Sequence, residues 1–370
     1  MRKIRVLIVD DSTVIRRLLS SALSSTPEIE VVGTAPNGKI ALAKLPQLTP
    51  DVVTLDIEMP EMDGLTTVLE LRKTYPTLPV IMFSTLTQKG AEATLDALAN
   101  GANDYVTKPS NVGSVNEAMQ SVREQLIPKI KSLCKWYNNQ PLVPSQPAKR
   151  LPTMGPSTVS RIPRERTRID IVTIGSSTGG PNALMEVLKD LPKTFPVPIL
   201  IVQHMPPVFT KHLANRLNQN CALEIVEASS GMVIRAGMVA IAPGDYHMTM
   251  NLDCADIHLE MSQTPPENSC RPSVDVLFRS VAQKYGANTL GVVLTGLGKD
   301  GMLGAEMIRD AGGRVFAQDE ATSVVWGMPR AVVQSGLADE VIPLPRIANQ
   351  IMSAITIGRS TRLLSKAETK

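Results

Sequence analysis

Aromatic residues are scarce in this sequence of 370 residues, at 3%, so it has little from which to build stacking platforms for single-stranded nucleic acid. Neither sign of charge dominates. Lys and Arg number 38 against 35 Asp and Glu, and the resulting +3 provides no global field to recruit nucleic acid or an anionic membrane. Cysteine is limited to four residues, Cys134, Cys221, Cys254 and Cys270, widely separated and without a C-x-x-C pair. They read as reduced, mostly buried thiols, not as staples or zinc ligands. No apolar run reaches the length of a membrane span, and the best, Pro198 to Val202, is strand-sized. The N-terminal apolar run leads straight into Asp10 and Asp11 without a small-residue cleavage site, which argues against a signal peptide. A cytoplasmic protein is expected, with no direct membrane insertion.

What is present is a chain long enough for two domains. In its first third, strand-like runs (Ile4 to Val9, Glu30 to Gly33, Val52 to Leu55, Val80 to Phe83, Tyr105 to Val106) alternate with helix-like stretches (Ser12 to Ser24, Leu65 to Thr74, Ala91 to Ala99, Val115 to Leu133). Such alternation predicts a parallel sheet with helices on both faces. From Trp136 to Arg168 six prolines exclude a helix or central strand, and the arginines crowding its end fit a solvated tether better than a basic arm. Strand–helix alternation resumes at Ile169, with strands expected at Ile169 to Ile174, Pro198 to Gln203, Val239 to Ala242, Ile257 to Met261, Thr289 to Thr295 and Val315 to Ala317. The expected architecture is therefore α/β in both halves: residues 1–130, a linker over 131–168, a second doubly wound domain over 169–357 and a polar tail over 358–370.

In an open parallel sheet, ligands sit beyond the carboxyl ends of the strands. Asp10 and Asp11 follow the first strand and Asp56 ends the third, so three carboxylates converge and imply a hard cation, for which Mg²⁺ is suited. Ser84 and Lys108 end up at the same edge, adding a hydroxyl and an ammonium for a phosphoryl group. Singly, each residue reads as a turn or cap; jointly, they point to phosphate chemistry.

Asp10-Asp11, Leu55-Asp56-Ile57-Glu58-Met59-Pro60, Ser84 and Thr107-Lys108-Pro109 resemble the receiver domain of two-component response regulators. The resemblance implies a flavodoxin-like doubly wound sheet and a phosphoryl group passed to Asp56 by a histidine kinase. It further implies Mg²⁺ held by Asp10, Asp11, Asp56 and the Glu58 carbonyl, acyl-phosphate contacts from Ser84 and Lys108, and a switch aromatic at Tyr105.

The second half carries Gly175-Ser-Ser-Thr-Gly-Gly180 between an expected strand and helix. A dinucleotide fingerprint fails because Ser177 holds the second glycine position, and a phosphate loop fails because Pro181-Asn182 follows Gly180. G-x-S-x-G fits, with Ser177 as nucleophile on a sharp turn and Ser176 out of register. A serine needs a base. Among four histidines, His204 alone directly follows a strand of the expected sheet; His212 and His258 read as packing residues, and His247, after Pro243-Gly244-Asp245, as a substrate contact. The base needs a carboxylate, for which Asp300 in Thr295-Gly-Leu-Gly-Lys-Asp-Gly301 and Asp245 compete. Thr178 is the oxyanion donor that the helix N-terminus suggests, with the Gly296-Leu297-Gly298 loop as a second source. Arg271 reads equally as a contact to an acidic partner or as a structural ion pair.

Ile174 to Gly180, Gln203-His204-Met205-Pro206, Ile241 to Asp245, Arg271 to Phe278 and Thr295 to Gly301 resemble the catalytic domain of the CheB family of chemotaxis protein-glutamate methylesterases. The resemblance implies a triad of Ser177, His204 and Asp300 without an esterase cofactor, methyl-accepting chemotaxis receptors as substrates, and deamidation of receptor glutamines by the same chemistry. A DNA-binding output would need a helix-turn-helix, which an α/β output does not supply. A noncatalytic adaptor would have no need of serine, histidine and aspartate at three strand ends.

Overall fold

The computed structural model describes residues 2–109, 114–134, 167–253 and 256–356. Most of the proline-rich stretch, Cys254 and the polar tail lie outside them.

The first sheet contains β1 (Ile4–Val9), β2 (Ile29–Ala35), β3 (Val52–Asp56), β4 (Val80–Ser84) and β5 (Asp104–Thr107), all parallel, in the order β2-β1-β3-β4-β5. Alternate residues of these strands serve opposite faces. Ile4, Val6 and Ile8 pack with Leu19, Leu23, Leu126 and Ile130 of α1 (Thr13–Ser24) and α5 (Val115–Leu133). Leu7 and Val9 pack with Leu45, Val68 and Leu95 of α2 (Gly38–Leu48), α3 (Gly64–Thr74) and α4 (Gln88–Ala99). Burial on both faces is why β1, β3 and β4 are mostly apolar instead of alternating, whereas the edge strand β2 carries an exposed Glu30. Helix α2 was not among the expected helices. In the fold, the Asn37 side chain caps it by accepting the Ile40 N–H at 2.9 Å, and Pro46 falls in its last turn.

The second sheet has seven parallel strands in the order β14-β13-β12-β6-β7-β9-β8. These are β6 (Ile171–Ser176), β7 (Ile199–Gln203), β8 (Glu224–Glu227), β9 (Met238–Ile241), β12 (Thr289–Val293), β13 (Arg314–Gln318) and β14 (Glu340–Ile342). The strand expected at Ile257 to Met261 is outside this sheet: β11 (Asp256–Ser262) forms an antiparallel hairpin with β10 (His247–Asp253). Helices α6 (Gly180–Lys189), α7 (Phe209–Asn220) and α11 (Leu344–Thr356) contribute to the core on one face. Helices α8 (Val274–Tyr285), α9 (Met302–Asp310) and α10 (Met328–Gln334) cover the other. No described helix is long and apolar enough to cross a membrane.

The two halves meet along α4, β5 and α5. Leu95, Leu98 and Tyr105 of the first half and Phe209 and Leu213 of the second belong to one contiguous apolar cluster. The Tyr105 ring stacks on Phe209, with centroids 4.9 Å apart and planes 6° from parallel. Such a pair adds about 0.5–1.5 kcal/mol beyond its area. Asp96 forms an ion pair with Arg216, and the Asn182 amide donates to the Leu98 carbonyl at 2.8 Å.

Candidate active site and phosphorylation site

In the second sheet, strand order reverses around β6, so the carboxyl ends of β6, β7 and β12 border the crevice where such sheets bind ligands. Ser177 follows β6, His204 follows β7 and Asp300 lies in the loop after β12. Backbone bonds gather the three loops: His204 N–H donates to the Ser176 carbonyl at 3.0 Å, and Ser177 N–H to that of Thr295 at 3.0 Å. The turn holding Ser177 departs from a strict nucleophile elbow, because its left-handed residue is Gly179, at φ 77°, while Ser177 itself is unstrained. Gly180 has a steric role, since a Cβ there would lie 1.9 Å from Gln203 Oε1.

Asp300 is the carboxylate that meets His204. Its Oδ2 lies 2.8 Å from His204 Nε2, whereas Asp245 is engaged by the Arg271 guanidinium at 2.6 and 2.9 Å. Of the two aspartates, Asp300 is thus the one beside His204, and Arg271 is bound in the ion pair with Asp245 and by the carbonyls of Gln263 and Thr264. Asp300 also acts as the cap that Ser273, the residue before α8, does not itself provide. It accepts the N–H groups of Val274 at 2.7 Å and Asp275 at 3.1 Å, with further bonds from Ser273 Oγ, the Asn268 amide and Gly301 N–H. A carboxylate at a helix N-terminus is favoured by the orphan donors and the dipole. Burial pushes the Asp300 pKa up, but His204 and these N–H donors outweigh it and hold it at about 2.

The other nitrogen of His204, Nδ1, faces the Cys270 thiol at 3.6 Å. Burial alone would lower the imidazolium pKa; the bonds to Asp300 and Cys270 outweigh it and lift it to about 10. Ser177 is half-buried and makes no side-chain hydrogen bond among the described residues. Gln203, 1% exposed, ties the loops together: its Nε2 donates to the carbonyls of Ser177 at 2.9 Å and His204 at 3.3 Å, and its Oε1 accepts Ser176 Oγ at 2.7 Å. No role was assigned from the sequence to Gln203, Asn268, Cys270 or Ser273, although Gln203 and Ser273 lie within the Gln203-His204-Met205-Pro206 and Arg271 to Phe278 motifs. His247 is corrected from substrate contact to structural residue. It is fully buried, with Nε2 3.2 Å from the Pro265 carbonyl and Nδ1 accepting Ser273 N–H at 3.2 Å.

Thr178 is buried, and its N–H has no partner among the described residues, as an oxyanion donor requires. Its hydroxyl donates across the interface to Asp104 Oδ2 at 2.5 Å. In the other suggested donor loop, the N–H of Gly296 is taken by the Val325 carbonyl. Asp104 is in turn paired with Lys129 of α5 at 2.8 Å, and Lys129 also bonds the Tyr105 carbonyl at 2.8 Å. A cleft of about 560 Å³ lies between the halves, lined by Tyr105 and Lys129 on one side and His204, Cys270 and Arg271 on the other.

In the first sheet, the order reverses between β1 and β3, and carboxylate oxygens of Asp10, Asp11 and Asp56 lie within 4.8 Å of one another there. Lys108 Nζ reaches Asp56 at 2.7 Å and Asp10 at 3.1 Å. Burial chiefly lifts the Asp56 pKa to about 6; its bond to Lys108 opposes the rise and the Asp10 charge adds to it. Asp10 Oδ2 makes no hydrogen bond beyond the Lys108 ion pair, and the all-oxygen donor set fits a hard dication. The Glu58 carboxylate is turned to Lys89 at 3.2 Å. Ser84 Oγ is engaged with the Gly90 carbonyl at 3.2 Å and Thr94 Oγ1 at 2.8 Å. Tyr105 is buried against Phe209.

Residues 172–351 match the CheB methylesterase family and residues 6–120 the response regulator receiver domain. A protein-glutamate methylesterase/protein-glutamine glutaminase of Trichodesmium erythraeum is 51% identical over 96% of this chain and 100% of its own length. Proteins of the same description from a Nocardioides species (52% identical over 95% of each chain) and Halalkalibacterium halodurans (43% identical over 95% of this chain and 98% of the relative) are similarly alike. With a receiver preceding the esterase sheet and this likeness running along nearly its whole length, the chain belongs to the CheB family of response-regulator methylesterases.

Proposed function

We propose that the chain hydrolyses glutamyl methyl esters, and deamidates glutamines, on methyl-accepting chemotaxis receptors, under the control of phosphorylation at Asp56 by a histidine kinase. The observation that carries the hydrolytic reading is the His204–Asp300 pair at the ends of β7 and β12, beside the Ser177 turn. In this reading Ser177 Oγ attacks the ester carbonyl and His204 Nδ1 takes its proton, because Nε2 is held by Asp300. The ionised Asp300 then stabilises the imidazolium. The imidazolium returns the proton to the departing methoxide, methanol leaves, and the activated water that follows releases glutamate. Thr178 N–H receives the oxyanion. Gln203 is a positioning residue that fixes the Ser177 loop against the His204 loop.

For this mechanism His204 must first be neutral: Nδ1 must leave the Cys270 contact that helps to raise its pKa, with the shared proton left on sulfur, and turn to Ser177, and the cleft must open. The receiver accordingly restrains the esterase. Its Asp104 carboxylate is bonded to the hydroxyl of Thr178, which ties the residue that supplies the oxyanion donor into the closed interface. In the receiver, Asp10, Asp11, Asp56 and the Glu58 carbonyl would hold Mg²⁺, which when bound neutralises the incoming phosphoryl group. Ser84 and Lys108 move toward the phosphoryl oxygens. β4 and β5, which hold Ser84 and Tyr105, shift with them.

Methanol release from methylated receptor tests this. The unphosphorylated full chain is expected to be slow and a small-molecule phosphodonor to accelerate it. Asp104→Ala should be faster than wild type without donor. A charged hydrogen bond contributes about 1.5–3 kcal/mol, which bounds the gain at roughly tenfold to a hundredfold. An unphosphorylated Asp104→Ala rate equal to wild type would remove this contact from the restraint. Absence of methanol release with or without donor would remove the esterase reading.

A further inference from the structure

We propose that His204 and Cys270 form an inhibitory site for a thiophilic divalent cation of the Zn²⁺ class. The two residues are 66 positions apart, so no spacing motif announces the pair. Their facing atoms, Nδ1 and Sγ, are 3.6 Å apart. Zn–N and Zn–S bonds of about 2.0 and 2.3 Å at a tetrahedral angle separate nitrogen and sulfur by about 3.5 Å, so the ion fits with little rearrangement. The far nitrogen of His204 is bonded to the Asp300 carboxylate at 2.8 Å. Metal-bound histidines commonly have this arrangement, in which the carboxylate fixes the tautomer and leaves the lone pair on the nitrogen facing the metal. Asp300 is already saturated by the amides at the start of α8 and serves as that outer partner, not as a ligand.

Access and charge are compatible with the ion. Both ligands line the cleft between the halves. Its cations are offset, Arg271 by Asp245 at 2.6 Å and Lys129 by Asp104 at 2.8 Å. The ligand set also separates this site from the acidic cluster of the receiver. Thiolate and imidazole select zinc, whereas the three carboxylates select magnesium. Binding exchanges the ion for the single proton shared by Sγ and Nδ1, which passes to solvent; water fills the remaining positions and no electron transfer is involved. The ion then occupies the lone pair that would accept the Ser177 proton. The inhibition therefore rests on His204 acting as the base, while the binding does not.

The test uses the full chain with Mg²⁺ in excess to fill the receiver cluster. Cobalt(II), as a spectroscopic substitute for zinc, is titrated and the thiolate-to-metal charge-transfer absorption recorded. Zinc inhibition of methanol release is measured in parallel, each variant against its own metal-free rate. Wild type and Cys221→Ser should show the band and the inhibition. Cys270→Ser should lack the band and require at least about tenfold more zinc, the lower end of what losing even an outer-shell partner costs. No band in wild type, or a band and inhibition that persist in Cys270→Ser, would overturn the site. A band without inhibition would leave the site standing and overturn both the inhibition and the role of His204 as base.

Discussion

Ser177→Ala should abolish ester hydrolysis, lowering the rate on the order of 10⁴–10⁶-fold, and His204→Ala should do the same. The double variant should be little worse than either, because a nucleophile and its base act as one unit whose losses do not add. Ser176→Ala is the informative control. Ser176 is fully buried and its hydroxyl donates to Gln203 Oε1 at 2.7 Å, so its loss leaves that buried acceptor unpaired, costs about 1–3 kcal/mol of stability and retains substantial activity. Methanol release by the four proteins at matched concentration decides the matter. An active Ser177→Ala beside an inactive Ser176→Ala would mean that the wrong serine has been assigned.

Asp56→Asn should eliminate covalent phosphorylation by a small-molecule donor, and chelation of Mg²⁺ should do so in the wild type. Asp51→Asn should be labelled normally. Asp51 lies at the opposite end of β3, where it pairs with Arg2 at 2.5 Å and accepts the Arg5 N–H at 2.9 Å. Asp56 ends that strand between Asp10 and Lys108. Phosphoprotein staining after exposure to donor reads the outcome, and full labelling of Asp56→Asn would sink the assignment.

Much of this was legible in the sequence because both sites are built at strand ends, and apolar runs mark strand ends well. Val9, Asp56 and Gln203 end strands where their apolar runs stop, and those ends place Asp10, Asp56 and His204. Partner choice was far less legible, since it depends on packing between distant segments. Asp300 was the expected partner of His204, but spacing alone kept Asp245 as a rival; the fold gives Arg271 to Asp245 and the start of α8 to Asp300. His247 followed a turn that resembled a substrate loop, yet it starts the β10 strand of an antiparallel hairpin and is buried. Asp104 carried no signal at all. A carboxylate at the start of a short strand is ordinary until a second domain supplies Thr178 and α5 supplies Lys129.

The most direct test of the central claim, a nucleophilic Ser177 held in check by the receiver, is the rate at which a fluorophosphonate labels the full chain. Label should be located on Ser177 by fragmentation of the modified peptide. Its rate should rise when a phosphodonor is added, and Asp56→Asn should show no such rise. Label on Ser176 or elsewhere, or a Ser177 rate indifferent to the donor, would contradict the account.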